Sequence, residues 1–245
     1  MIIVLNKNKL KTIMKYIALT VILLCVGVLL IRDINYQPTF NKTQNNTLYT
    51  QGNKENSNTI AITCNIDLGW ESEYVEKILN SLKKENVKIT FNVTGKWAQK
   101  NKELLLKIKS QGHEIGNHGY EHLDYSTLTY EQNYKQIETS KIIIENILKE
   151  ETKFFQAPSG YFNDETIKAA SDLGYKSVKW DTDTIDWMNK EEPEVIIQRI
   201  KDKCPVENSI ILMHPTYASS EAVDDIIKII KDKNLKPGKL SDIFI

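Results

Sequence analysis

The sequence predicts an α/β domain, a parallel sheet or barrel, preceded by one N-terminal transmembrane helix. Three observations predict it. From Thr59 onward, short apolar runs alternate with amphipathic helical patterns. Residues Tyr16–Ile31 carry no charge at all. Three of the four histidines stand just past expected strands, where parallel βα folds carry their chemistry.

The elements follow in order. Residues 1–13 form a basic leader with Lys7, Lys9 and Lys11. Residues 14–31 read as a signal-anchor helix, because Lys15 can snorkel and extend the apolar length to about eighteen residues, near the lower limit for a span. A cleaved signal peptide is the alternative. It would need small residues after the apolar run, and Arg32, Asp33 and Ile34 stand there instead. Four lysines precede the span and Arg32 follows it, so the leader is expected in the cytoplasm and the rest outside. The expected location is the cell membrane, single-pass, with the C-terminal domain extracytoplasmic. Residues 32–58 hold seven asparagines and little to bury, the composition of a flexible tether.

The domain proper is expected over 59–245. TIAITCNID is a buried strand, and SEYVEKILNSLKKEN places Tyr74, Ile78 and Leu82 on one helix face. VKITFNVTG is a strand, and NKELLLKIKSQG a helix stopped by Gly112. HEIGNHG is a short strand and turn, TYEQNYKQIETSKIIIENILKE a long helix, and KFFQAPSG a strand entering a turn. NDETIKAASDLG is a capped helix ending at Gly174, followed by the strand YKSVKWDTD. PEVIIQRIKDKC opens with Pro193, a favoured first helical residue. SIILMHPT is an apolar strand and SEAVDDIIKIIKDKNL the last helix. Cys25, Cys64 and Cys204 do not make a disulfide framework, and the latter two are expected as core thiols.

Chemistry-bearing residues gather at the strand ends. His118 and His122 are four apart; on a helical turn that spacing puts two imidazoles on one face, able to share a metal. Hydrogen-bonded or solvated histidines are the plain alternative. Asp67 can serve as general base, metal ligand or turn cap. His214 follows IILM and can act as general acid or sit as a bonded core histidine. Asp183 or Asp186 could orient it. Trp180 and Trp187 flank that loop, to stack on a sugar or to be buried. His113 is expected in the core or at the surface rather than at a metal.

In this order the blocks resemble the polysaccharide deacetylase domain (NodB homology, carbohydrate esterase family 4), and within it the sporulation-associated and clostridial branch. NIDLGWESEYVEKIL is similar to the first block, usually TFDDG before a helix. GHEIGNHGYEH is similar to the histidine block, FFQAPSGYFNDETIKAASDLGYK to the arginine-proline block, and VKWDTDTIDW and IILMHPT to the last two. The resemblance implies a distorted (β/α) barrel that removes acetyl groups from N-acetylated sugars with a divalent metal, zinc being the ion expected. It implies His118 and His122 as metal ligands, Asp67 as base or ligand, His214 as acid and an aspartate, Asp183 or Asp186, behind it. Pro158, Gly160, Tyr161 and Trp187 are the substrate-binding candidates. Two positions depart from the pattern: Leu68 stands where the metal aspartate belongs, and Gln156 where an arginine holds the base carboxylate. The expected partner is cell-wall glycan, peptidoglycan sugars first. A pseudoenzyme that only binds such glycan is the alternative.

The charge agrees with this division. The formal net charge is zero, from 32 basic and 32 acidic residues. Residues 1–58 carry seven basic and two acidic residues, and the remaining 187 carry 25 and 30. A weakly acidic domain makes nucleic acid an unsuitable partner.

Overall fold

The computed structural model describes residues 46–245. The expected leader and membrane helix lie outside the described residues; within them no helix is long and apolar enough to cross a membrane.

The sheet starts earlier than composition suggests. Strand β1 (Leu48–Tyr49) lies inside the stretch expected as tether and pairs with β6 (Lys176–Val178). Tyr49 supplies the reason, packing its ring edge-on against Phe244 at 5.3 Å. Strand β2 (Thr59–Ile66) is buried along its whole length. Its β-branched residues suit a pleated surface covered on both faces. Helix α1 (Ser72–Lys84) buries Val75, Ile78, Leu79 and Leu82, the stripe of a helix seated on a sheet. Strand β3 (Thr90–Val93) leads to α2 (Gly95–Lys100), a short helix the sequence patterning left unassigned, and then to α3 (Lys102–Ser110). Thr94 starts α2 by accepting from Trp97 N–H through its hydroxyl. Strand β4 (Glu114–Asn117) is followed by α4 (Tyr130–Leu148), which opens on a Thr129/Gln132 capping box. Next come β5 (Phe154–Phe155) and α5 (Asp164–Asp172), the latter capped by Asn163. After β6 stand β7 (Thr182–Asp183), α6 (Pro193–Lys203), β8 (Ile210–Met213) and α7 (Tyr217–Asp232). Two elements absent from the expected pattern end the chain: β9 (Lys236–Gly238) and α8 (Leu240–Ile243).

Every strand pairing is parallel, in the order β1-β6-β5-β4-β3-β2-β8-β7, with β9 also on β2. The sheet is a curled half-barrel with helices against it. Its distortion has a covalent cause. β6 pairs with β5 and β7 pairs with β8, yet only Lys179–Asp181 separate β6 from β7. The two ends of the path are thus drawn together by one bent stretch of chain.

Alternation sorts the side chains. Ile60, Ile62, Cys64 and Ile66 join the main core with Leu79, Leu82, Phe91 and Ile226. Truncating Leu79 to alanine there costs about 2–5 kcal/mol. Ala61 instead joins Phe154, Ile210, Leu240 and Phe244 in a second apolar cluster. Further along the same face, Asn65 accepts from Asn92 Nδ2 at 2.9 Å, and Asn92 Nδ2 also reaches Gln156 Oε1 at 3.2 Å. The face thus turns from apolar to amide-lined toward the C-terminal strand ends. Cys64 is buried and Cys204 is exposed, both as free thiols. Cys204 is therefore not the core thiol expected: it caps α6 in the left-handed conformation, outside the apolar stripe of that helix.

Candidate active site

A cavity of about 340 Å3 lies at the C-terminal ends of the strands. Asp67, His122, Asp183, Trp187 and His214 line it, from four separate stretches of sequence. Such convergence at strand ends is where a parallel fold can assemble a site without disturbing its core.

On one side stand the histidine pair and Asp67. His118 follows β4 directly; its backbone N–H donates to Val93 O at 3.0 Å. Its buried ring donates from Nδ1 to the backbone carbonyl of Gln156 at 2.6 Å, which leaves Nε2 with the lone pair. Burial, and then the neighbouring charge of His122, push its pKa down to about 3, so the ring is neutral at ordinary pH. The rings of His118 and His122 stand 5.7 Å apart, edge to face. The helical turn expected between them is absent. A loop bends at Gly119 (φ +76°), where a Cβ would meet the Tyr125 hydroxyl, and this brings the rings together. Asp67 turns its own loop by accepting Gly69 N–H on Oδ1 at 2.5 Å. Its Oδ2 lies 3.6 Å from His122 Nε2.

Leu68 is 44% exposed beside Asp67 and brings only carbon. Gln156 is fully buried, and its Nε2 and the Asn92 Oδ1 have no hydrogen-bond partner among the described residues. The backbone carbonyl of residue 156 holds His118, so this second-sphere bond does not depend on the side chain at 156.

Opposite stands His214, at the end of β8. Asp186, fully buried, meets its Nδ1 at 2.8 Å through Oδ1. An ionised carboxylate only accepts, so Nδ1 carries the proton and Nε2 is left for chemistry. Of the two aspartates expected to orient His214, Asp186 does so. Asp183 instead accepts Ile185 N–H at 2.8 Å and lines the cavity. That bond pins a turn in which Ile185 has φ +56°, a strained value for a β-branched residue. The turn lets Asp186 dive beneath His214 while Trp187 stays out at the rim, half-exposed at 49%. Trp70 lies against the His214 ring at 5.0 Å between centroids and also lines the cavity. Sequence patterning missed it because nothing in its spacing sets it apart. Burial, and then the charge of Asp186, push the Cys64 thiol pKa up, making Cys64 an inert neighbour.

Of the substrate-binding candidates, Tyr161 and Trp187 line the cavity, as does Trp180. Pro158 and Gly160 are buried in the turn behind it and do not line it. Gly160 has φ +65°, and a Cβ there would lie 2.6 Å from Trp180. Their part is to shape the turn that presents Ser159 and Tyr161. His113 is buried away from the cavity, its Nδ1 accepting Ile89 N–H at 3.2 Å.

The donor set bears on a divalent cation. Two imidazoles, the buried one held neutral, and one carboxylate are the ligand types of a catalytic site with open positions. His118, His122 and Asp67 would hold the ion. Among the described residues, however, no three His, Cys, Asp or Glu side chains converge closely enough to form a ready cluster.

Comparison with known proteins places the chain in a family. Residues 52–178 match the polysaccharide deacetylase family. The chain is 38% identical over 178 residues to YlxY of Bacillus subtilis, covering 73% of this chain and 55% of that protein. It is 30% identical over 224 residues to the peptidoglycan-N-acetylmuramic acid deacetylase PdaA of the same organism, covering 86% and 83%. Among solved structures, a carbohydrate esterase family 4 pseudoenzyme from Bacillus anthracis superposes with a TM-score of 0.76 at 33% identity, covering 81% of this chain and 69% of that one. A mutant of that protein, described as having restored enzymatic activity, superposes equally well.

Proposed function

The chain belongs to the polysaccharide deacetylase family, and on that premise we propose that it is a metal-dependent hydrolase of acetyl groups on N-acetylated cell-wall glycan. Peptidoglycan sugars are the proposed substrate, and the cell membrane, through residues 14–31, the proposed location. The observation that carries this reading is the Asp186–His214 pair facing Asp67 and His122 across one aromatic-lined cleft.

The residues divide the work. His118, His122 and Asp67 would hold a divalent ion, with zinc suited to this mixture of nitrogen and oxygen ligands. When bound, such an ion supplies Lewis-acid polarisation of the acetyl carbonyl. Asp67 keeps Oδ1 on the Gly69 N–H, leaving Oδ2 either to join the ion or to take a proton from the attacking water. His214, once protonated on Nε2 as an imidazolium that Asp186 balances, gives that proton to the departing amine and returns to the neutral ring. Tyr161, Trp180 and Trp187 offer flat faces to a pyranose ring.

A second reading, a pseudoenzyme that binds glycan without cleaving it, is favoured by one observation. In an ungapped match to the family pattern Leu68 takes the position of a metal carboxylate, and its side chain offers no ligand. Incubating the full chain with divalent metals and N-acetylglucosamine oligomers or peptidoglycan, and measuring released acetate, separates the two. Acetate that disappears with His118→Ala supports the hydrolase. No acetate with any metal, together with glycan binding, supports the pseudoenzyme.

A further inference from the structure

Asp186 is a carboxylate with no exposed surface. Such a group is costly inside a protein unless its oxygens are bonded. Its Oδ2 accepts twice, from the backbone N–H of His214 at 2.5 Å and from Ser219 Oγ at 2.5 Å. Its Oδ1 is thereby aimed at His214 Nδ1. Ser219 is itself fully buried in the first turn of α7, and its backbone N–H donates to Thr216 Oγ1 at 3.0 Å, the cap of that helix. The hydroxyl that holds the carboxylate therefore sits on a rigid helix start, where the helix dipole also favours negative charge. The Asp186 loop, by contrast, contains the strained Ile185 turn and has reason to relax elsewhere.

We propose that Ser219 is a positioning residue for His214, acting through Asp186: its hydroxyl fixes the carboxylate in the one rotation that orients the imidazole toward the cleft. The proposal rests on the deacetylase reading only for its kinetic consequence.

Two measurements on the full chain test it. The first is the proton resonance of His214 Nδ1–H, a hydrogen-bonded signal that needs no substrate or metal. Ser219→Ala should speed its exchange with water by about ten-fold, the loss of one charge-assisted bond. Ser219→Thr, which keeps the hydroxyl, should preserve it. The second is acetate release. Ser219→Ala should lower kcat by about ten-fold with KM little changed, since the bond acts on proton transfer rather than on binding; Ser219→Thr should recover most of that loss. An unchanged resonance and unchanged kcat in Ser219→Ala would overturn the proposal. So would equal loss of the resonance in the Thr and Ala variants, because the hydroxyl would then not be the cause. If the parent protein releases no acetate, the hydrolase reading fails while the resonance still decides the role of Ser219.

Discussion

The two sides of the cleft are built to different standards. Around His214, the Asp186 carboxylate accepts three donors at 2.5 to 2.8 Å, and the helix start beneath it is capped. Around His118 and His122, the nearest carboxylate contact to His122 is 3.6 Å, Leu68 contributes only carbon, and two buried amide atoms behind His118, Asn92 Oδ1 and Gln156 Nε2, have no partner among the described residues. The difference teaches where substitution is tolerated. A fully buried carboxylate must be satisfied by the fold itself, so losing one of its donors costs stability directly. Donors that await a cation contribute little to folding, and their loss is felt only when the cation is called for.

Three experiments break or sharpen this contrast. The largest effect is expected from His118→Ala, which should reduce acetate release by at least about 1000-fold, since even an outer partner of a metal ligand is worth about 10–100-fold. Next is Asp186→Asn. It keeps the shape but lets the wrong tautomer form, and should lower kcat by about 100-fold or more with KM nearly unchanged. Equal and small losses in both variants would erase the contrast. Leu68→Asp should tighten zinc binding by about ten-fold or more in a calorimetric titration. An unchanged affinity there would mean that Asp67, not residue 68, already occupies the metal-aspartate position.

The smallest effect lies away from the cleft and serves as a control. Burial, then the charge of Lys88, lower the His113 pKa from its ordinary 6.5 to about 4. The folded state thus favours neutral His113. Its contribution to stability is complete above about pH 6.5 and is lost as pH falls through about 4. The melting temperature should therefore drop over that window, and His113→Gln should flatten the drop. A melting curve with the same pH dependence in that variant would assign the loss to other groups.

Much of the fold was legible because its signals are local. Val75, Ile78, Leu79 and Leu82 repeat at helical spacing, and the buried run of β2 is β-branched. The capped start of α5 and the Pro193 start of α6 were readable from one or two residues. β1 was not, because Leu48 and Tyr49 sit in polar surroundings and gain their place only from β6 and Phe244, far along the chain. α2 was missed because six residues give too short a window for periodicity. At the site, Asp67, His118, His122 and His214 were named from position, yet Trp70 and Ser219 carry no motif and appear only as neighbours of His214 and Asp186.

By itself the sequence determined the alternation of strands and helices and the residues eligible for chemistry. Only the tertiary structure decided which aspartate serves His214, that the histidine pair meets across a glycine bend, and that a backbone carbonyl holds His118. The physical reason is one of range. Periodicity and capping act over a few residues, whereas a hydrogen bond across the cleft depends on the register of strands tens of residues apart. It depends as well on one strained turn at Ile185 that local preference would never choose.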